Sequence, residues 1–143
     1  RIECSLFEYT QILTRKPTLC QFSAFCGSEK CFNFLLEHGA NLKLLDCGKR
    51  NSLDFAIAGG NVNIIEKVAS EISDFVGATR ISAEFHRFEL FIKFLTQHNT
   101  NLKANDIENG SIFHGIAAAN HIKMILFCLQ QGCNVNLKDG DGV

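Results

Sequence analysis

The chain has 143 residues, of which 46% are hydrophobic and 20% charged, and its formal net charge is −1. This composition is typical of a globular protein and excludes an intrinsically disordered chain. The near-zero charge, with no basic run longer than Lys49-Arg50, gives no electrostatic reason to expect nucleic acid or an anionic membrane as a partner.

Seven cysteines at irregular spacings, without a C-x-x-C pair, indicate reduced thiols rather than a disulfide framework. The sequence shows no charged-then-apolar leader of the kind that secreted proteins carry. Its longest apolar stretch, 115–129, is interrupted by Asn120, His121 and Lys123, whereas a membrane span needs about 20 residues. We therefore expect an intracellular, cytoplasmic protein.

The first predicted element is a single helix over 1–14, which Pro17 separates from the rest of the chain. Its apolar residues recur at helical spacing, at Ile2, Leu6, Tyr9 and Leu13. We expect this helix to cap a stack of helix pairs, because terminal elements of a stack need one solvent-facing side.

Each following unit is predicted to contain two helices with defined ends. The first helices have residues that can cap a helix N-terminus at Thr18, Asn51 and Ser111. Residues that tolerate the left-handed conformation are predicted to end the first helices at Gly27, Gly60 and Asn120, and the second helices at Gly39, Asn99 and Gly132. Polar segments, called fingers below, follow over 40–50, over 100–110 and from Cys133 onward.

The units recur with a period of 33 residues. A shift by 33 superposes Gly27 on Gly60 and Phe94 on Phe127. Asn41-Leu42-Lys43 recurs 60 residues later as Asn101-Leu102-Lys103, which is six residues short of two periods. The second repeat accounts for the deficit: Glu66 to Arg80 predicts a helix, a short turn containing Gly77 and a further helix, without a finger.

The repeated residues resemble those of ankyrin repeats. Asp106 to Ala117 (DIENGSIFHGIA) is similar to the ankyrin pattern D-x-x-G-x-T-P-L-H-x-A-A, with Asn for Gly, Ser for Thr and no proline. Leu35 to Asn41 (LLEHGAN) is similar to the ankyrin segment L-L-x-x-G-A-x, and Asp139 to Val143 resembles the opening of another repeat. Ala56 to Asn61 (AIAGGN) resembles a signature of a divergent ankyrin subfamily whose members mostly lack an assigned function.

This resemblance, which extends from about Lys16 to Val143, implies an all-α fold. The expected architecture is an ankyrin-type solenoid of about four helix-turn-helix repeats with an N-terminal capping helix, and with fingers after repeats 1, 3 and 4. The chain forms one repeat segment, 1–143. Its expected boundaries are 1–17 for the capping helix, then 18–50, 51–77, 78–110 and 111–143 for repeats 1 to 4, with the array continuing beyond the last residue.

The histidine of the ankyrin T-P-L-H motif is present once, as His114. Gln21 and Asp54 occupy its place in the first two repeats and can still hydrogen-bond, whereas Ile81 in the third repeat cannot. The resemblance thus implies a set of structural signature residues, namely Gly27, Gly39, Gly60, His114 and Gly132.

The cysteines and histidines do not indicate a catalytic or metal site. Cys31 and Cys128 fall at second-helix positions that are apolar in other repeats, and Cys133 replaces Ala40, so we predict structural thiols. Cys20, Cys26 and Cys31 are six and five residues apart, which does not place three zinc ligands on one helix face. No cofactor, metal or phosphate-binding loop is therefore expected. Most of the thirteen phenylalanines fall at helix-core spacing, including Phe22, Phe25, Phe32, Phe34, Phe85, Phe88, Phe91 and Phe94.

The resemblance implies a scaffold that binds a protein partner on the concave side formed by fingers and first helices. The resemblance maps the family's variable positions to Cys47, Gly48, Arg50, Ala58, Gly59, Ile107, Glu108, Gly110, Ala118 and Ala119, and the first-helix places of the other two repeats to Phe25, Cys26, Phe85 and His86. The candidate contact residues are Lys49, Arg50, Ile107, Glu108, Phe25 and His86. The small residues Ala58, Gly59, Ala118 and Ala119 are expected instead to let adjacent first helices approach one another. Two alternatives stay open: a targeting module attached to a catalytic domain elsewhere in a longer chain, and a thiol enzyme.

Overall fold

The computed structural model describes residues 12–73, 75–97, 105–106 and 110–136. The helices within these ranges are α1 (Leu19–Phe25), α2 (Glu29–Glu37), α3 (Ser52–Gly59), α4 (Val62–Glu71), α5 (Val76–Glu84), α6 (Phe88–Gln97), α7 (Ile112–Ala118) and α8 (Ile122–Gln130). A 3-10 turn, Leu13–Arg15, precedes α1, and two short strands, β1 (Asn105–Asp106) and β2 (Gly110–Ser111), pair antiparallel. The described fold is all-α, as the sequence predicts. None of its helices has the length and apolarity to span a lipid bilayer.

The chain divides into two compact units, Arg1–Asp74 and Phe75–Val143. In the first unit α1 packs on α2 and on α3, and α4 packs on α2 and on α3. In the second unit α5 packs on α6 and on α7, and α7 packs on α8. Each unit therefore consists of two helix pairs whose first helices pack on each other. The predicted capping helix falls mostly on residues outside the described ranges.

Helices α1 and α3 begin at reciprocal caps. Thr18 Oγ1 accepts a hydrogen bond from the Gln21 backbone N–H at 3.2 Å, and Gln21 Oε1 accepts one from the Thr18 N–H at 2.7 Å. Asn51 and Asp54 form the same arrangement at the beginning of α3. These two predicted caps are confirmed, and each satisfies backbone N–H groups that a helix N-terminus otherwise leaves unpaired.

Left-handed residues end most of the helices, as predicted. Positive φ angles occur at Gly27, Gly39, Gly60, Asn120 and Gly132, whereas the predicted stop at Asn99 lies outside the described residues. After Gly27 the chain closes in a Schellman motif, in which the Ser28 N–H donates to the Ser23 carbonyl at 3.0 Å.

The third repeat ends its first helix at a residue that the sequence does not mark as a stop. His86 has a φ of 58°, and the Arg87 N–H donates to the Ser82 carbonyl at 2.7 Å. This is the hydrogen bond that Ser28 and Ser23 form in the first repeat. His86 therefore occupies the place of Gly27, although histidine lacks the conformational freedom of glycine.

The predicted turn at Gly77 is wrong, because Gly77 lies in the first turn of α5. That helix begins without a side-chain cap, and Phe75 just before it packs against Phe94 with ring centroids 5.9 Å apart. An aromatic residue in contact with α6, rather than a glycine, therefore precedes α5. Only residues 72–75 join α4 to α5, so the predicted absence of a finger here agrees with the observed helix bounds.

Most of the large buried side chains are apolar and fall at helical spacing. Phe32, Phe55 and Phe91 are fully buried, as expected for core aromatics. Phe34 is 58% exposed and Cys31 is also exposed, which corrects the prediction that both belong to the core. Phe34 lies about 200° around the helix from Phe32, so the two cannot face the same side of α2.

Close approach of α1 and α3 depends on Gly59. A Cβ atom at Gly59 would lie 2.6 Å from the Ala24 carbonyl oxygen and would also collide with the Phe25 carbonyl. Ala58 beside it is buried. The expectation that small residues let adjacent first helices approach is confirmed for this pair, whereas the side chain of Ala118 lies outside the described part.

The second helices α2 and α4 are linked in register. Asn63 Nδ2 donates to Glu29 Oε1 at 2.8 Å, and Lys67 Nζ donates to Asn33 Oδ1 at 2.7 Å. Each pair is separated by 34 residues, close to the sequence period. Hydrogen bonds from Asn61 and Asn63 lower the pKa of the Glu29 carboxyl group below its ordinary value.

Candidate functional site

The first finger, residues 40–50, is held by a buried side chain of α1. Gln21 Nε2 donates hydrogen bonds to the carbonyl oxygens of Leu44 at 2.9 Å and of Arg50 at 3.3 Å. One nitrogen atom thus bonds to both arms of the finger, the outgoing arm at Leu44 and the returning arm at Arg50. The prediction that Gln21 forms bracing hydrogen bonds at this position is confirmed.

The tip of this finger is organised by Asp46. Its Oδ1 accepts hydrogen bonds from the backbone N–H groups of Gly48 and Arg50, both at 2.8 Å. The Cys47 N–H donates to the Arg15 carbonyl at 2.8 Å and fastens the tip to the 3-10 turn before α1. Asp46 is buried. The path of the main chain is therefore determined by side chains that do not reach solvent.

The base of the finger has a turn that recurs in the second unit. Asn41 Oδ1 accepts from the Lys43 N–H at 2.9 Å, and Asn134 Oδ1 accepts from the Asn136 N–H at 2.9 Å. Asx turns of this kind replace backbone pairing at the beginning of a loop. Both asparagines come two residues after a left-handed glycine, Gly39 or Gly132, so the same local geometry opens both loops.

Two adjacent leucines are exposed on the braced finger. Leu44 is 50% exposed and Leu45 is 54% exposed, although Gln21 fixes the main chain beneath them. Leu42 is buried and anchors the base. Single exposed leucines are common on protein surfaces, whereas two exposed leucines in sequence on a braced loop are an unusual amount of apolar surface for so short a segment.

Five cations belong to the finger or to the segment that is fastened to its tip, and they are called the basic rim below: Arg15, Lys16, Lys43, Lys49 and Arg50. A Cβ atom at Gly48 would lie 3.1 Å from Arg15 Cγ, which places the Arg15 side chain against the finger tip. Asp46, the one acidic residue of the finger, is buried and bonded to backbone N–H groups. The surface of the finger is therefore basic although the whole chain carries a formal charge of −1.

The backbone of Lys49 has an unusual conformation for a lysine. Its φ is 61°, in the left-handed region that glycine and asparagine adopt most readily. The Lys49 N–H donates to the Asp46 carbonyl at 3.2 Å and closes the turn at the tip. The exposed Lys49 side chain thus projects from a tight turn rather than from an extended arm.

A depression of about 330 Å³ adjoins the base of the finger. It is lined by Leu36, Ala40, Asn41, Leu42, Lys43, Lys67 and Glu71. Its volume is at the lower end of the range for small-molecule pockets, and its lining combines both signs of charge. Because Lys43 belongs to this lining and to the basic rim, the depression extends the finger surface toward α2 and α4.

The predicted contact residues have different locations. Lys49 and Arg50 lie at the tip of the braced finger, as described above. Phe25 is half-buried at the end of α1, and its carbonyl faces Gly59. Ile107 and Glu108 lie outside the described residues. The sequence analysis missed the exposed Leu44 and Leu45, although an adjacent leucine pair within a polar segment is a visible signal.

His86, the remaining predicted contact, belongs to an aromatic group in the second unit. Its ring stacks on His121 with centroids 5.3 Å apart, and His121 stacks on Phe88 at 6.1 Å. His121 Nδ1 accepts from the Met124 N–H at 3.4 Å at the beginning of α8. His86 is exposed, but its backbone also ends α5, so it combines a structural role with its exposed ring. The side chain of His114 lies outside the described part.

The described cysteines form two classes. Cys20, Cys128 and Cys133 are buried, whereas Cys26, Cys31 and Cys47 are exposed. Burial raises the pKa of Cys20 to about 11. Burial, with a smaller effect of the neighbouring Cys133, raises the pKa of Cys128 to about 12. Cys20 and Cys128 are thus poor nucleophiles near neutral pH, because the thiolate is the reactive species.

The burial of the cysteines also concerns the possible zinc ligands Cys20, Cys26 and Cys31. Cys20 is buried while Cys26 and Cys31 are exposed, so these three side chains do not share one environment. Across the described ranges, no group of three or more His, Cys, Asp or Glu side chains is placed to hold a metal ion.

Comparison with models of protein families yields no match, and no curated protein shows significant sequence similarity to the chain. The function of the chain is therefore inferred from its geometry and from the repeat pattern of its sequence.

Proposed function

We propose that this chain is an ankyrin-type scaffold that binds a protein partner, with the first finger as a principal contact surface. The proposal is supported by the helix pairs, by first helices that pack on each other in each unit, and by left-handed residues at the helix ends. The pairing of β1 with β2 gives the segment before α7 a hairpin at the position expected for a finger.

The observation that carries the proposal is the contrast between the main chain of the finger and its side chains. Gln21 and Asp46 are buried and hold the loop through its carbonyl and N–H groups. Leu44 and Leu45, on the same loop, remain about half exposed. A rigid loop loses little conformational entropy on association, so its exposed apolar side chains can contribute efficiently to binding.

A binding role also agrees with the chemistry of the thiols. A nucleophilic cysteine requires a lowered pKa and a neighbouring base, whereas the shifts at Cys20 and Cys128 are upward. We therefore propose a protein without catalytic activity of its own, which acts by bringing its partner to a defined place.

Site-specific crosslinking tests the proposal. A photoreactive amino acid is placed at Leu44 of the full-length protein in its own cells, and in a matched sample at Val62, which is 61% exposed on α4. We expect one protein to be captured from Leu44 and not from Val62. The captured protein is then purified, and its affinity is measured for the unmodified chain and for the double variant Leu44→Ser/Leu45→Ser.

We expect the double variant to bind at least about 10-fold more weakly, since apolar residues at the centre of an interface dominate its energy. The control Val62→Ser should retain the affinity of the unmodified chain. Equal capture from both positions, or unchanged affinity of the double variant, would contradict a role for this finger.

A further inference from the structure

The apolar and basic features of the first finger occur on the same few residues. Gln21 Nε2 lies within hydrogen-bonding distance of the Leu44 and Arg50 carbonyls, so these two residues are side by side across the finger. Leu45 follows Leu44, and Lys49 precedes Arg50, which extends the pairing to both neighbours. The exposed leucines and the two cations therefore lie on the neighbouring arms of one short loop.

The finger carries more cations than carboxylates. Asp46 is the one carboxylate in the finger, and its Oδ1 is occupied by two backbone N–H groups. Arg15, Lys16, Lys43 and Lys49 are exposed, and Arg50 is half-buried. Charge-assisted hydrogen bonds to carboxylates are among the strongest that lysine and arginine side chains form.

We infer that the partner segment bound by this finger is an acidic peptide with a large aliphatic or aromatic side chain, which packs on Leu44 and Leu45 while its carboxylates face the basic rim. This inference rests on the proposed function, and it adds the chemistry of the partner. Charge complementarity selects the acidic residues, and the exposed leucines select the apolar one.

A protein segment fits this surface better than the other common polyanions. Nucleic acid and anionic lipid headgroups could bind the cations, but neither would make use of the two exposed leucines on the same loop. Single-stranded nucleic acid is held by stacking on aromatic side chains, and residues 40–50 contain no aromatic residue.

The test begins with an unbiased selection. A library of random peptides displayed on phage is selected against the purified 143-residue chain, and the enriched peptides are synthesised with a fluorophore for anisotropy titrations. We expect enriched peptides to contain several Asp or Glu residues beside Leu, Ile or Phe. Their affinity should fall at least about 10-fold between about 50 mM and about 500 mM NaCl, because salt screens exposed charges.

Two pairs of variants locate the binding site. Lys43→Glu/Lys49→Glu changes two exposed cations of the basic rim, and Lys30→Glu/Lys93→Glu makes the same change of charge at exposed residues of α2 and α6. We expect the first variant to weaken binding about 10-fold or more and the second to weaken it less than about 2-fold. Leu44→Ser/Leu45→Ser should also weaken binding, with Val62→Ser as its control. Circular dichroism confirms that each variant is folded.

The outcomes separate this inference from the proposed function. Neutral or basic peptides that lose affinity in Leu44→Ser/Leu45→Ser would refute the acidic partner but leave the finger as a binding surface. Peptides that bind both finger variants as tightly as the unmodified chain would contradict the inference and the proposed function. A selection without any enriched peptide would do the same. Tighter binding of oligothymidylate or phosphatidylserine vesicles than of any selected peptide, lost in Lys43→Glu/Lys49→Glu, would overturn the choice of a protein partner.

Discussion

Gln21 and Leu44 are 23 residues apart in sequence, and a 2.9 Å hydrogen bond joins the side-chain amide of the first to the main-chain carbonyl of the second. The same amide nitrogen reaches the Arg50 carbonyl at 3.3 Å. A surface loop is thus positioned by a buried residue of the helix that precedes it, and its own exposed side chains take no part in these bonds.

Replacing Gln21 by methionine tests this brace, because methionine keeps the volume and removes the amide. We expect the free energy of unfolding to fall by about 1–3 kcal/mol, since buried carbonyls lose their donor and the reciprocal cap at Thr18 is lost. Urea denaturation measures the change. The exposed Gln130→Met should change stability by less than about 0.5 kcal/mol. Equal effects at the two sites would show that Gln21 is not a brace.

Gly59→Ala tests the close approach of α1 and α3. The added methyl group would collide with the carbonyl oxygens of Ala24 and Phe25, so the helices must separate. We expect a loss of about 2 kcal/mol or more, although helix propensity alone favours alanine by about 1 kcal/mol. Gly39→Ala is the comparison, because it adds a methyl group in open space at a φ of 85°. It should lose about 1 kcal/mol, from backbone strain alone.

Lys49→Gly is expected to stabilise the chain. The left-handed backbone of Lys49 strains a residue with a Cβ atom, and glycine removes that strain at the cost of greater freedom in the unfolded chain. The expected gain is about 0.5–1 kcal/mol. Lys30→Gly, at an exposed position within α2, should instead lose about 1 kcal/mol. Both substitutions remove one positive charge, so changes in the free energy of unfolding with opposite signs would show the effect of the backbone conformation. A lower free energy of unfolding for Lys49→Gly would refute it.

Much of this backbone could be predicted from residue types whose local physics is unambiguous. Gly27, Gly39, Gly60 and Gly132 end helices where the sequence predicts, because glycine adopts the left-handed conformation without steric cost. His86 does the same, although histidine is a much weaker signal for this conformation than glycine.

Errors arose where packing overrides a local preference. Gly77 is helical although glycine is a weak helix former, and Phe75, which packs on Phe94, lies just ahead of α5. Helical spacing predicts Phe34 as core, but its position around α2 directs it to solvent. The candidate site was found only in part. The sequence suggested Lys49 and Arg50, whereas the exposure of Leu44 depends on how Gln21 folds the finger.

Thiol labelling should separate the described cysteines into two classes. With an aromatic disulfide reagent near neutral pH, Cys26, Cys31 and Cys47 are expected to react rapidly because they are exposed. Cys20, Cys128 and Cys133 should react only as fast as the chain opens. Mass spectrometry of peptides from partly labelled protein measures each rate. A buried cysteine that reacts faster than the exposed three would support the thiol-enzyme alternative.

Alkaline pH should destabilise the fold through its buried thiols. The pKa of Cys128 is about 12 in the folded chain against an ordinary value of 9.0, so the folded state holds its proton more firmly than the unfolded state. This contribution to stability is complete below pH 9.0 and is lost as pH rises toward about 12. The slope is at most about 1.4 kcal/mol per pH unit for one thiol.

Urea titrations at several pH values between about 8 and about 11 measure this slope. Cys128→Ala should be less stable at neutral pH, because it leaves a small cavity, but its stability should depend less on pH. Cys31→Ala, at an exposed thiol, should retain the slope of the unmodified chain. If the free energy of unfolding depends on pH equally in Cys128→Ala and in the unmodified chain, Cys128 is not the cause of the alkaline destabilisation.

The way in which the first finger is held has a consequence for how its surface can change. Gln21 and Asp46 form hydrogen bonds with backbone carbonyl and N–H groups. Every residue has both groups except proline, which lacks the N–H. Positions 43, 44, 45 and 47 can therefore exchange their side chains while the loop keeps its course. The finger is in this respect a graftable element: a different recognition sequence can be transplanted onto it, and the two buried residues that shape the loop need not be redesigned.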